Sequence, residues 1–217
     1  MRASLMVGVC VSSVIMGLKH QAVSARKWRI AIRRVESHFP SHLPPLLFLT
    51  DPKRTPDPVS VAAHLPAGSG VLYRHFGAED RREVAAQLAM LCNRNGLRFL
   101  IAADPQLAAD TGADGVHWPE ALAHHAPKWR TRFAIQTASA HSRSAISKAA
   151  RMGVDAALVS TVFSSGSPSA GRPMGARSFT QKCRESALPL YALGGVKAGN
   201  AIRVASVGGL AAIEGLS

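Results

Sequence analysis

Charge, tyrosine and cysteine are all scarce in this 217-residue chain: charged residues make up 18%, and there are two tyrosines and three cysteines. Cys10, Cys92 and Cys183 are odd in number and far apart, which excludes a disulfide framework and a thiolate metal knuckle and leaves reduced thiols as the expectation. No apolar run approaches the ~20 residues a membrane span needs, so no membrane partner is expected. Carboxylates are scarcer than cations, 13 against 26, giving a net charge of +13. Seven of those cations, against Glu36 alone, fall in the first 45 residues; the others are spread out without aromatic interleaving. Such a pattern attracts anions but does not read nucleic acid, and no nucleic-acid partner is expected.

What is abundant is apolar and turn-forming: hydrophobic residues reach 47%, with 18 glycines and 13 prolines. That composition excludes disorder and fits one ordinary domain or a small barrel. The amino-terminal part stands apart. Met1-Arg2 before the apolar stretch Leu5 to Leu18, with Val23-Ser24-Ala25 behind it, resembles a secretory signal, but Lys19 and His20 break the pattern. An upstream extension before a start at Met16 is the preferred reading, and it makes the protein cytoplasmic. Arg26 to Phe39 then predicts a basic amphipathic helix, with Trp28, Ile32 and Val35 on one side and Arg26, Arg29 and Arg33 on another. It serves either as a cap packed on the domain or as a contact with an anionic surface.

After the linker Pro40 to Pro45 a regular beat begins. Buried-strand runs are read at 46–50, 70–74, 98–102, 115–118, 133–136, 156–159, 190–193 and 210–213, with helical stretches at 59–64, 79–95, 107–110, 142–152, 176–186 and 197–206. Eight runs separated by helices imply parallel β/α units and fit a closed (β/α)8 TIM barrel better than an open sheet. No helical pattern follows the eighth run, so either the amino-terminal helix covers that gap or the barrel is incomplete. The expected organisation is an extension over residues 1–45 and a barrel over 46–217. Gly194 and Gly195 end the seventh run and precede a helical pattern, an arrangement that lets backbone N–H groups approach a phosphate.

Four motifs add a resemblance. Phe48-Leu49-Thr50-Asp51, Gly112-Ala113-Asp114-Gly115-Val116-His117, Ser139-Ala140-His141-Ser142 and Ala192-Leu193-Gly194-Gly195-Val196 occur in the order and spacing of the thiamine phosphate synthase/TenI family, which the chain resembles from about Leu46 onward. The resemblance implies a (β/α)8 barrel and a transferase that joins a pyrimidine diphosphate to a thiazole phosphate, releasing pyrophosphate with Mg²⁺ neutralising the leaving group. The TenI branch implies a different chemistry, metal-free tautomerisation of a thiazole phosphate carboxylate, for which a titratable acid/base suffices. A third reading is a barrel that binds a phosphorylated ligand without turnover.

The resemblance also implies site residues. The pyrimidine-phosphate segment falls on Leu72-Tyr73-Arg74-His75-Phe76, where Arg74 keeps the family's arginine while its glutamine and lysine are lost. Asp104 is the remaining candidate ligand for Mg²⁺; the second acidic position falls on Leu122, with Glu120 close by. Asp104 before Pro105 reads equally as a helix cap. Ser139, Ser165, Ser167, Gly194 and Gly195 are the expected substrate contacts, and Pro168 stands where the family has a lysine. His141 is the candidate acid/base, because an imidazole titrates near neutrality. At the last strand the family's Val-Ser falls on Ile213-Glu214, a carboxylate where phosphate is expected; Lys197 or Arg172 would offset it. A homo-oligomer is compatible with all of this.

Overall fold

The computed structural model describes residues 22–167 and 170–216. The signal-like stretch up to residue 21, the alternative start at Met16, Cys10 and Pro168 lie outside the described residues. Eight parallel strands close into a barrel in sequence order: β1 (Leu46–Leu49), β2 (Gly70–Tyr73), β3 (Arg98–Ala102), β4 (Gly115–Trp118), β5 (Ile135–Ser139), β6 (Ala156–Val159), β7 (Leu190–Ala192) and β8 (Gly209–Ala212). The last strand pairs with the first through Leu46 with Leu210 and Phe48 with Ala212. Side chains alternate between two apolar layers, as the period of a strand requires. Leu47, Leu49, Leu72, Leu100, Ile135, Leu158, Tyr191 and Ala211 fill the barrel interior. Phe48, Val71, Tyr73, Phe99, Val116 and Trp118 face the surrounding helices. Because both faces of each strand are covered, the strands read as continuous apolar runs, and that made them legible in the sequence.

The helices are α1 (residues 22–36), α2 (Pro58–Ala63), α3 (Arg81–Asn95), α4 (Pro105–Asp110), α5 (Arg143–Arg151) and α6 (Gly175–Glu185). Helix α3 ends at Gly96 in the left-handed conformation, φ +65°, as its sequence predicts. Three expectations change. The segment after β4, read without a helix, is a 3₁₀ helix from Glu120 to Trp129 with Pro127 inside its last turn. The helix expected over 197–206 shrinks to the 3₁₀ turn Ala201–Arg203, because the Asn200 side chain bonds Lys197 N–H (2.8 Å) and the Gly195 carbonyl (2.9 Å), building a loop in place of the first helical turn. The fifth strand starts two residues later than read, at Ile135.

No helix follows β8 among the described residues, and α1 occupies that position. Trp28, Ala31, Ile32 and Val35 form one buried stripe packed in a common cluster with Leu190, Ala192, Leu210 and Ala212 of the last two strands. The Trp28 indole donates to the Gly215 carbonyl (2.8 Å), and a His38 ring nitrogen lies 2.8 Å from the Ala205 carbonyl oxygen. Beyond α1 the chain passes under the barrel, where Phe39 meets Tyr191 edge-on at 5.1 Å and the Tyr191 hydroxyl donates to the Pro44 carbonyl (2.7 Å). The amphipathic reading of Trp28, Ile32 and Val35 thus resolves into a helix that completes the outer ring.

Candidate active site

The carboxyl ends of barrel strands are where such folds carry chemistry, and three groups of side chains gather there. The first is built on β2, β4 and β5. Leu72 faces inward, so Arg74, two residues on, continues over the barrel mouth. Thr50 fixes it from the neighbouring strand: its Oγ1 accepts from Arg74 N–H (2.9 Å) and its carbonyl from Arg74 Nε (3.0 Å). Burial lowers the Arg74 pKa from its usual value, yet guanidinium retains its proton in proteins. Both terminal nitrogens are left without a hydrogen-bond partner among the described residues, a cationic edge aimed at the mouth. Below it His117 is fully enclosed, its Nδ1 2.9 Å from Thr137 Oγ1 and its Nε2 2.9 Å from Ser139 Oγ. Burial, seconded by the Arg74 charge, pushes its pKa down to about 3. It is therefore a neutral ring that sets the direction of the Ser139 hydroxyl. From the sequence alone His117 has no role of its own; the missed signal is its inward parity, shared with Thr137 and Ser139 across the β4–β5 ladder.

The second group lies at β7, β8 and the loop after β6. Here Ser165, Gly194, Gly195, Lys197 and Glu214 line a cavity of about 520 Å³, together with Lys27 of α1 and Arg54. Gly194 and Gly195 have φ values of +86° and +66°. A Cβ on Gly195 would overlap the Ser164 carbonyl oxygen and stand 2.7 Å from that of Phe163. The loop after β6 is thus drawn tightly onto the glycine turn, and Phe163 N–H donates to the Gly194 carbonyl (2.9 Å). The N–H groups of Gly194, Gly195 and Val196 make no hydrogen bond to a described residue. Ser165 Oγ accepts from Ser167 N–H at 3.3 Å, while Ser167 is set back from the cavity wall. Glu214 is 61% exposed at its side chain, and its Oε1 lies 3.9 Å from Arg54 Nε. Its carboxylate is solvated and paired, which screens an anion bound at the glycines.

The third group stands apart. His141 is exposed, its Nδ1 is 3.3 Å from Ser160 Oγ, and its backbone N–H donates to Glu120 (3.2 Å).

Mg²⁺ fits this donor set poorly. Asp104 Oδ1 accepts from Leu107 N–H (2.9 Å) as the cap of α4, and its Oδ2 lies 3.8 Å from Arg81. Glu120 is engaged with the His141 amide. Among the described residues no three His, Cys, Asp or Glu side chains converge on a metal-sized point. Hard cations need several oxygen ligands, and the carboxylates at this end, Asp51, Asp104, Glu120 and Glu214, are each engaged with another group and do not converge.

A larger groove, about 1070 Å³, is lined by Pro40 to Pro45 and α3 at the opposite end of the barrel, away from the strand ends that carry the site.

Comparison with known proteins agrees with this geometry. Residues 46–216 match the family described as thiamine monophosphate synthase. The chain belongs to the thiamine monophosphate synthase family. Within it, the chain is 32% identical over 174 residues to the thiamine-phosphate synthase of Alcanivorax borkumensis, covering 75% of this chain and 79% of that one. It is 30% identical over 156 residues to that of Synechococcus sp. strain WH7803, covering 68% of this chain but spanning less than half, 43%, of the relative. Among solved structures, thiamine phosphate pyrophosphorylase from Pyrococcus furiosus superposes with a TM-score of 0.68 at 23% identity, over 80% of this chain and 86% of that one, a likeness of fold. No helix of the described residues is long and apolar enough to cross a membrane.

Proposed function

We propose that this chain is a thiamine-phosphate synthase: it joins a pyrimidine diphosphate to a thiazole phosphate. The thiazole nitrogen supplies the electron pair for a new C–N bond to the methylene carbon borne by the pyrimidine as that carbon's C–O bond to the diphosphate breaks, and pyrophosphate leaves with the C–O electron pair. The observation that carries the reading is the presence of two anion-holding arrangements at one barrel mouth, the open edge of Arg74 and the unpartnered amides of Gly194, Gly195 and Val196. Two substrates that each carry phosphate need two such places.

Arg74 takes the diphosphate and stabilises the charge that grows on it as the bond breaks, a task for a fixed donor in a partly dry site. The glycine amides, with Lys197, take the monophosphate. Ser139, aimed by His117, and Ser165 donate hydroxyl hydrogen bonds. Asp104 remains the protein carboxylate nearest in sequence to the family's metal position, and no step is assigned to a metal. Phosphorylated substrates do not cross a bilayer unaided, which fits a cytoplasmic protein. Incubation of the full chain with both substrates and Mg²⁺ should give thiamine phosphate and pyrophosphate above an Arg74→Ala control; equal product in both would refute the assignment.

A specific observation favours a second reading. The imidazole of His141 is exposed, its Nδ1 meets the neutral Ser160 hydroxyl at 3.3 Å, and Glu120 bonds its backbone N–H and not its ring. That suits proton transfer, as in tautomerisation of a thiazole phosphate carboxylate. On this reading tautomerisation persists in EDTA and falls at least tenfold in His141→Ala; binding of thiazole phosphate with neither reaction would mark a barrel that only binds.

A further inference from the structure

The helix that precedes the barrel lines the cavity at the strand ends as well as packing on the fold. Val23, Ser24 and Lys27, on one side of α1, line the same cavity as Gly194, Gly195 and Lys197. The first of these lies more than twenty residues before the segment that matches the family, which begins at residue 46. Among the cations around this cavity, Arg54 is engaged: its Nη2 is 2.7 Å from Asp51 and its Nε 3.9 Å from Glu214. Neither Lys27 nor Lys197 forms an ion pair with a described residue.

The placement of Lys27 is fixed by its neighbour. Trp28 is 5% exposed, and its indole N–H is spent on the Gly215 carbonyl at 2.8 Å. That hydrogen bond ties α1 to the loop after β8. It also occupies a carbonyl oxygen of a residue lining the cavity, an oxygen that would otherwise repel an anion. The wall facing the glycine amides is thereby cationic on the α1 side, in a cavity that also contains Glu214.

We propose that Lys27 is a phosphate-binding residue of this cavity, reaching it from the helix that packs beside the last two strands, and that Trp28 is the positioning residue that holds it there. The ligand class is a phosphate monoester dianion, held by Lys27, Lys197 and the glycine amides together. The inference rests on the reading of this cavity as the monophosphate end of the site.

Calorimetric titration of the full chain tests it with three probes: inorganic phosphate, thiazole phosphate and the unphosphorylated thiazole alcohol. Lys27→Gln should weaken both phosphate probes roughly tenfold and leave the alcohol unchanged, as expected for loss of one charge-assisted contact. Lys27→Arg should restore binding to within about threefold. Arg29→Gln, the same charge change on the exposed side of α1, should bind as wild type. Trp28→Phe, which keeps an aromatic ring and removes the N–H, should weaken phosphate about threefold while the far-UV spectrum of the fold is retained.

Wild-type affinity in Lys27→Gln, or an equal loss in Arg29→Gln, would overturn the proposal, as would absence of phosphate binding by the wild type. The two readings fail separately. If inorganic phosphate binds through Lys27 but no thiamine phosphate forms, the reaction is wrong and Lys27 stands. If Lys27→Gln makes product with an unchanged KM for thiazole phosphate, Lys27 is wrong and the reaction stands.

Discussion

His117 carries the sharpest single-residue consequence. Its pKa near 3 in the folded chain lies far below the ~6.5 of an exposed histidine, so unfolding takes up a proton between these values. Stability from this group is fully present above about pH 6.5 and declines as pH falls, by up to ~1.4 kcal/mol per pH unit midway. Burial also lowers the His75 pKa, which adds in the same direction. Denaturant titrations at pH 7 and pH 5 should show the wild type losing more stability than His117→Gln; parallel losses would mean that His117 titrates normally. Gly195 gives a second test. Alanine there meets the Ser164 carbonyl oxygen at a positive φ, so Gly195→Ala should lose about 1 to 3 kcal/mol and distort the amide run. A stability within 0.3 kcal/mol of wild type on denaturant unfolding would show that the turn relaxes freely (about the error of such a comparison). The glycines were legible as a turn that opens the backbone to close approach. That their geometry also serves the close approach of Phe163 and Ser164 was not, because the approach brings together segments thirty residues apart.

At the scale of elements, α1 packs against the last two strands, and its weight is measurable. Truncating Trp28 to alanine removes a buried indole and its bond to Gly215, so Trp28→Ala should cost about 3 to 5 kcal/mol on denaturant unfolding. A loss under 1 kcal/mol would reduce α1 to a surface appendage. The stripe of Trp28, Ile32 and Val35 was readable from helical spacing, but its partner was not: nothing local in the sequence says that these residues pack beside β8. The strands were readable because both of their faces are buried, which makes each a short continuous apolar run. The two 3₁₀ segments were not: side-chain bonds from Asn200 override the helical pattern read over 197–206, and the 3₁₀ helix over Glu120–Trp129, with Pro127 inside it, was not read as a helix at all. Asp104 was read both as metal ligand and as helix cap, and its bond to Leu107 N–H realises the cap. For Glu214 the sequence raised a repulsion that Arg54, 160 positions earlier, relieves across the closure of the barrel.

At the scale of the molecule, the barrel divides its mouth in two. One half, from β2, β4 and β5, presents Arg74 above a neutral His117 and Ser139; the other, from β7, β8 and α1, presents the glycine amides with Lys27 and Lys197. The chain's net charge of +13 favours the arrival of anionic substrates, so kcat/KM should fall with added salt more steeply than kcat does. The division itself makes the strongest demand. Initial rates of thiamine phosphate formation, with each substrate varied in turn, should show Arg74→Ala raising the KM for the pyrimidine diphosphate and lowering kcat/KM about 10- to 100-fold, with the KM for thiazole phosphate unchanged. Equal shifts for the two substrates, or no shift for either, would contradict the assignment of separate anion sites to the two halves of the mouth.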